Sequence, residues 1–380
     1  MRRKKDARLN VVRVLFAIAV SATVFRWVFD EKPTAASIRA PPSTSEQPAA
    51  EVQRSGKVTE TVAPASTIPE NSVLESEFYR RREARVSPFQ HRALLTPSRL
   101  CLNDTSMIIL IHSHPAYRRR RDAVRETWGS AVKSGWWPRG LRQSVPVRDL
   151  CLAFVVGLSE SHNTAVLQEH VVKDDIIQGD FIDHYHNLTL KSLLGLKLVT
   201  GRCLYVKYLL KGDDDTFINL PLLLSYLNSH NDLQRSIIGP HLSHRQVKRN
   251  GKFALTRREF PFDILPPYEG GSAYVITADV LSELFNTSEF VPHLFIEDVY
   301  VTGILGRIVG VSHVTGRPTS GRQQLATFAY RQSRQPRACD FARDHVYTGT
   351  GFHPRQMLKL WRKLVEGRPC TARTLKLPNN

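Results

Sequence analysis

The sequence predicts an α/β domain built on a largely parallel sheet, and three observations carry that prediction. Short apolar runs without internal alternation recur from Ser106 onward, as buried strands of a parallel sheet do. Segments with apolar residues at helical spacing lie between those runs, which is the βα alternation of a parallel sheet. One of the runs opens directly into a cluster of carboxylates, at the strand end where ligands collect in open α/β sheets.

Ahead of that domain lies a different kind of chain. The protein has 380 residues, 42% of them hydrophobic, and a formal net charge of +18. Arg2, Arg3, Lys4, Lys5, Arg8 and Arg13, less Asp6, supply +5 before the first apolar run. The remaining charge is scattered, densest at Arg80–Arg82 and Arg118–Arg121. No basic segment is interleaved with aromatics as a single-strand binder requires, so nucleic acid is not the expected partner. Val11–Phe29 approaches the length that spans a bilayer once Arg13 and Arg26 snorkel to the two interfaces. The cationic cluster precedes it, which keeps residues 1–10 cytoplasmic and translocates everything after Asp30. A cleaved signal peptide is the alternative reading of the same stretch, and it too places the body in the lumen. Residues 30–100 read as a luminal stem, rich in Pro, Ser, Thr, Ala and Glu up to about Glu70 and charged with helical character from Ser72. The domain proper is expected over 101–370, followed by a tail over 371–380.

Three sequons, at Asn103, Asn187 and Asn286, suit that compartment. The five cysteines, at positions 101, 151, 203, 339 and 370, lack the close pairing of a thiolate zinc site. Cys339 with Cys370 is one expected bridge in an oxidising lumen, and Cys151 or Cys203 is expected as a buried free thiol.

Within the domain the elements follow in order. SMIILIHSH from Ser106 is a strand, and Arg119–Trp128 a helix with a cationic face. Cys151–Ser159 is a second strand, Leu188–Val199 a helix, and Cys203–Asp215 a third strand running into the carboxylates. Phe217–Asn228 reads as a helix with Pro221 in its first turn. Ala273–Thr277 is a strand, and Ala278–Phe285 and Asp298–Val309 are helices.

Two acidic groups carry the chemistry. In KGDDDTFIN (Lys211–Asn219), three successive aspartates after an apolar strand cannot all be buried unpaired. A hard divalent cation such as Mn²⁺ or Mg²⁺ resolves the charge and keeps coordination positions for phosphate oxygens. A solvated turn capping the next helix explains the same residues without a ligand. In FIEDVYVTG (Phe295–Gly303), Glu297 and Asp298 either answer a helix dipole or supply a carboxylate base for a sugar hydroxyl. Arg121, Arg125, Thr127 and Trp128 follow the first strand, where guanidinium groups reach diphosphate or simply form a solvated basic face. No Walker loop, HExxH, GxSxG or dinucleotide glycine fingerprint is present.

Taken in order, RRDAVRETWG (Arg120–Gly129), FVVG (Phe154–Gly157), DIIQGDFIDHYHNLTLKSL (Asp175–Leu193), KGDDDTFIN, PPYEGGSAYVIT (Pro266–Thr277) and EDVYVTG (Glu297–Gly303) resemble the β-1,3-galactosyltransferase family. That family also holds β-1,3-N-acetylglucosaminyl- and N-acetylgalactosaminyltransferases, and the resemblance covers about Met107 to Leu364. It implies a GT-A glycosyltransferase fold, a Rossmann-like mixed and mostly parallel sheet flanked by helices, behind an N-terminal transmembrane helix. It also implies type II Golgi topology, Mn²⁺ dependence, a UDP-sugar donor, a glycan acceptor and inversion at the anomeric carbon. Carried onto this chain, Asp215 is the principal metal ligand, Asp213 stands nearer the nucleotide, and Asp214 completes the triplet. Asp298 matches the general base, and Glu297 would orient acceptor or donor. Arg121, Arg125 and Trp128 match the block near the nucleotide pocket, and Lys191 would help position the donor. The chain departs from the family at Glu269-Gly270, where Cys-Ser is frequent, and at Ala273, where Gly is usual. It departs again at Thr350, where a metal-binding His is frequent, with His345 and His353 nearby.

Overall fold

The structure is a computed structural model that describes residues 70–101, 104–137, 147–315, 327–329, 335–367 and 370. The expected anchor over 11–29, the tail ahead of it, the stem as far as residue 69, the sequon at Asn103 and the tail over 371–380 lie outside the described residues. Among the described residues no helix is long and apolar enough to cross a membrane.

Eight strands make the main sheet: β1 (Ala93–Leu95), β2 (Met107–His112), β3 (Leu150–Leu158), β4 (Ile176–Ile182), β5 (Tyr208–Asp213), β6 (Ser236–Ile238), β7 (Ala273–Thr277) and β8 (Ser312–Val314). Their spatial order is β1-β4-β3-β2-β5-β7-β6-β8. The central four, β4, β3, β2 and β5, run parallel. Each consecutive pair among them is joined through a helix, Arg118–Glu126, Asn163–Lys173 or Leu188–Arg202, the crossover that parallel pairing demands. Beyond β5 the sheet is mixed, with β7 antiparallel to both β5 and β6 and β8 parallel to β6. This mixed α/β sheet flanked by helices is the expected fold class and is consistent with the GT-A arrangement.

Alternate residues of the strands feed two cores. Ile108, Leu110, Leu209 and Ile276 pack on one face with Leu194 and Val301. Met107, Ile109, Ile111 and Leu210 pack on the other with Val124, Trp128, Leu223 and Met357. Each such side chain contributes roughly 1.5–3 kcal/mol by leaving water, which is why these runs form central strands with both faces covered.

Four elements differ from the sequence reading. Phe217–Ile218 is a two-residue strand paired with Val346–Gly349, and the helix starts only at Leu220, where the Asn219 side chain caps it and Pro221 sits in its first turn. The pairing partner lies more than a hundred residues away, so no local pattern announces it. The helix after Asp298 is a π-helix over Val299–Leu305 that becomes an α-helix over Gly306–Val309. Ordered structure also begins ahead of Cys101. The helix Glu70–Phe78 brings Phe78 against Phe260 at 5.2 Å between ring centroids, and β1 pairs with β4. Finally, of the two cysteines read as candidates for a free thiol, Cys203 is not the one. It is bonded to Cys101, while Cys339 and Cys370 form the expected bridge. The free cysteine among the five is the half-buried Cys151, whose thiol burial pushes up to about 11.

Candidate active site

The aspartate triplet sits where β5 ends, at the carboxyl edge of the parallel strands. His112 at the end of β2 is in register with Asp213, and Gly212 faces Ala273 of β7. Three neighbouring strand ends therefore converge on this point. The triplet divides its work. Asp214 is buried, accepting hydrogen bonds from Ser113 Oγ at 2.7 Å and Arg120 Nη1 at 3.1 Å. The Asp213 side chain stays 40% exposed and the Asp215 side chain 28% exposed. Thr350 Oγ1 donates to Asp215 Oδ1 at 3.1 Å, and Arg120 lies 3.5 Å from its other oxygen. Two carboxylates thus face the opening and one anchors the turn.

Charge on this turn is held against its own repulsion. The Asp213 carboxyl is pushed up to about 7, first by loss of water and then by Asp215 and Glu297, against the opposing pull of Lys211. Removal from water likewise raises Asp214 despite Ser113 and Arg120. A cation between Asp213 and Asp215 would relieve the first of these strains, and their hard, partly exposed oxygens suit Mn²⁺ or Mg²⁺. The residues present fit the metal that the sequence implies.

The second acidic group approaches the first through one lysine. Lys211, buried on β5, bonds Asp213 Oδ1 at 2.9 Å and the Gly271 carbonyl and lies 3.4 Å from Glu297 Oε2. Gly271 N–H in turn donates to Asp298 Oδ2 at 2.9 Å, and Val299 N–H donates to Asp298 Oδ1 at 2.9 Å. A Cβ at position 271 would stand 3.1 Å from Asp298 Oδ2 and 3.3 Å from its Cβ, so a glycine is what lets this loop close on the carboxylate. The chain Asp213–Lys211–Gly271–Asp298 joins the two acidic sites through successive hydrogen bonds. Asp298 is pushed up to about 6, chiefly by burial and then by Glu297, with Lys211 and its two backbone donors working the other way. It remains ionised at neutral pH and is basic enough to accept a proton.

Asp298 also lines a cleft of about 170 Å³ together with Arg245, Lys248, Phe253, Tyr268 and Val299. Cationic and aromatic side chains beside a proton acceptor make a surface on which a sugar ring can lie.

Several expected contact residues sit behind this surface. Arg121 is fully buried. It forks onto Glu169 at 2.9 and 2.6 Å and reaches Ser113 Oγ, His114 O and Pro115 O at 3.1, 2.6 and 3.1 Å. Arg125 holds Asp175 at 2.8 Å, Glu169 at 2.7 Å and Asp122 at 2.7 Å. Burial works against the charge on Glu169, yet the bonds from Arg121 and Arg125 hold its carboxyl below the usual range. Trp128 is fully buried, and its indole N–H donates to Thr216 O at 3.0 Å. Lys191 is buried on Ser113 O at 2.6 Å and Asp183 at 2.8 Å. Glu297 is buried too, accepting from Ser192 and Tyr274 hydroxyls at 2.5 Å. These side chains, all expected near donor or acceptor, are here bonded to protein groups. Arg121 and Lys191 hold the Ser113 loop, Trp128 holds Thr216, Arg125 holds Glu169 and Asp175, and Glu297 stands 3.4 Å from Lys211.

The missed residues are the ones at the surface of that frame. Arg120 meets two of the aspartates, and the Arg118–Arg121 run signals a cation there without saying which one turns inward. Thr350 occupies the place beside Asp215, while His353 instead caps the helix Pro354–Val365. Of the two described sequons, Asn286 is exposed. Asn187 is half-buried, and its side-chain amide donates to Ile182 O at 2.8 Å.

A family model of galactosyltransferases matches residues 119–317, which spans β3 to β8 and both acidic groups. The chain belongs to the galactosyltransferase family. Its curated relatives include the pig UDP-GalNAc:beta-1,3-N-acetylgalactosaminyltransferase 1, 30% identical over 271 residues that cover 70% of this chain and 76% of that one. They also include the mouse N-acetyllactosaminide beta-1,3-N-acetylglucosaminyltransferase 4, 35% identical over 240 residues, 61% of this chain and 64% of that one. Beta-1,3-galactosyltransferase 5 of Pan paniscus is 30% identical over 263 residues, 68% and 80% of the two chains. Among solved structures, a crystal structure of 4-diphosphocytidyl-2C-methyl-D-erythritol synthase matches with a TM-score of 0.31 and 12% identity, over 56% of this chain and 88% of that one. A likeness so slight adds nothing to the galactosyltransferase assignment.

Proposed function

We propose that this galactosyltransferase family member is an inverting β-1,3-glycosyltransferase that moves a hexose from a UDP-sugar to a glycan acceptor. Galactose is the proposed sugar, and the catalytic domain works in the Golgi lumen behind a single type II anchor. The observation that carries the reading is the junction of the two acidic groups through Lys211 and Gly271, with Asp298 open to a cleft on the far side. Relatives named for β-1,3 transfer of three different sugars support the linkage and leave the sugar to be measured.

In this reading Asp213 and Asp215 hold Mn²⁺, which when bound neutralises charge on the departing diphosphate. Arg120 adds a fixed positive charge at the same edge. Asp298 accepts the proton of the acceptor hydroxyl as that oxygen attacks the anomeric carbon from the face opposite the UDP. Its two backbone donors hold the carboxylate in one orientation, which is the positional requirement of general base catalysis. Lys211 is a positioning residue. Its charge limits how far burial raises Asp298, so the base stays ionised at pH 7.

The test presents UDP-galactose, UDP-N-acetylglucosamine and UDP-N-acetylgalactosamine, each with Mn²⁺, to a panel of β-linked acceptors and determines product linkage. A β-1,3 product made with UDP-galactose is expected. Retention of the α configuration, or full activity in Asp298→Asn, would overturn the mechanism. A faster reaction with an N-acetylhexosamine would replace the sugar alone.

A further inference from the structure

A second cluster of ligand-type side chains lies on the other side of the 269–272 turn. Glu269 ends the short strand Tyr268–Glu269, which pairs with His241–Leu242, and His313 lies at the centre of β8. His241 Nδ1 is 2.9 Å and His313 Nδ1 3.2 Å from the same oxygen, Glu269 Oε1. The Glu269 side chain is fully buried, whereas the two histidines are 26% and 18% exposed. Its other oxygen, Oε2, is buried without a hydrogen-bond partner. Among the described residues the recorded ion-pair partners of Glu269 are these two histidines.

A buried carboxylate with no fixed cation is costly, by several kcal/mol even after relaxation, and an orphaned oxygen adds to that cost. The two imidazoles reach the carboxylate only through one oxygen. A divalent ion relieves it through both the charge and the geometry. Ligand atoms 2.0–2.1 Å from a tetrahedral zinc ion stand about 3.3 Å apart, close to the separations seen here. All three ligand atoms lie within 4.8 Å of one another. Two imidazoles and one carboxylate suit Zn²⁺ rather than Mg²⁺ or Ca²⁺, which take oxygen. Gly239 packs closely on this carboxylate, where a Cβ would stand 3.2 Å from Glu269 Oε2.

We propose that His241, Glu269 and His313 form a zinc site, separate from the aspartate triplet, with its fourth position toward solvent. It would join three segments that are distant in sequence, and it would pin the strand leading to Gly271, whose N–H orients Asp298. The site is structural in this proposal and does not rest on the glycosyl-transfer reading. Binding needs imidazole nitrogens free of protons, so affinity falls on acidification and protons are released as the metal enters.

The experiment uses the full chain in detergent, stripped with chelator and dialysed against Zn²⁺ alone, with bound metal measured by elemental analysis. An Asp215→Asn variant weakens the aspartate site in parallel. One tightly held zinc per chain is expected in both proteins, with at least a hundredfold loss of affinity in the double variant His241→Gln, His313→Gln. Zinc-edge X-ray absorption should report two imidazoles in an all N/O shell. Because the double variant could misfold, Glu269→Gln provides the second arm. It keeps one side-chain carbonyl oxygen for the histidines, and its melting temperature should no longer rise with zinc. Equal zinc binding in the wild type and the double variant would overturn the proposal. So would loss of all tight zinc in Asp215→Asn, or a sulfur shell pointing to Cys151.

Discussion

Replacing Asp298 with Asn should disable the enzyme and make the metal-free protein more stable, and the two effects have one cause. The Asp298 carboxyl is raised from 3.8 to about 6, so the folded protein holds its proton more tightly than the unfolded chain does. The sign follows directly. Below the unfolded value both states are protonated and the group costs nothing; between pH 4 and pH 6 a penalty for ionising it in the fold grows; above pH 6 the penalty is complete. A shift of about two units corresponds to roughly 3 kcal/mol, an upper figure because Asp298 is partly open to the cleft. Asn carries no charge, but it offers one oxygen where Asp298 receives N–H groups from both Gly271 and Val299. Losing one of those bonds costs about 1–2 kcal/mol. The expected balance is a gain of about 1–2 kcal/mol at pH 7.5, a rise of a few degrees in melting temperature for a domain of this size. Melts of wild type and variant without metal or nucleotide, at pH 7.5 and pH 4.5, measure it. The difference should shrink at the lower pH. In parallel, transfer should fall by 10² to 10⁴ while UDP still binds. A variant that is less stable at pH 7.5, or a stability difference that ignores pH, would refute the account of Asp298 as a desolvated base.

Other expectations follow from the same geometry. Wild-type transfer with saturating Mn²⁺ should decline about tenfold from pH 7 to pH 5, since a group at about 6 goes from mostly ionised to mostly protonated; a flat rate profile would remove Asp298 from the base role. Arg121→Ala should lower the stability of the fold by about 3–5 kcal/mol, softened by the remaining Arg125 contact to Glu169. The donor KM of whatever folds should be little changed, and a raised donor KM with an unchanged melt would restore direct contact between Arg121 and the nucleotide. Arg120→Met should instead raise the donor KM several-fold with a modest stability loss, because this guanidinium is 34% exposed beside Asp214 and Asp215; titration of UDP binding decides it. Cys203→Ser opens a loop whose ends are 102 residues apart, and loop-closure entropy sets the loss at up to about 4.7 kcal/mol, to be read from denaturant melts under non-reducing conditions.

Much of this was legible because it depends on short stretches of chain. Apolar runs with both faces to cover became β2, β3 and β5, and the carboxylates that follow β5 had to lie at a strand end. The order of the blocks marked the family, and the spacing of Lys211–Asn219 and Glu297–Gly303 marked the two acidic groups. What the local pattern could not supply was direction and partnership. Arg120 and Arg121 are adjacent and chemically the same, yet the roughly 100° between neighbouring helix residues sends the second into a fully buried pairing with Glu169, while the first reaches the aspartates. Lys211 gains its place only from β7, which pairs with its strand, and from the Gly271 carbonyl that it bonds. Glu297 and Asp298 are neighbours at the start of one helix, yet Glu297 is buried on Ser192 and Tyr274 while Asp298 lines the cleft. The union of Cys101 with Cys203, the place of Thr350 beside Asp215 and the meeting of His241 with Glu269 and His313 all join segments remote in sequence. The chain itself determines which residues are apolar, charged or ionisable. Packing determines which of them lose water, and that loss decides whether a charge holds the frame or does the chemistry.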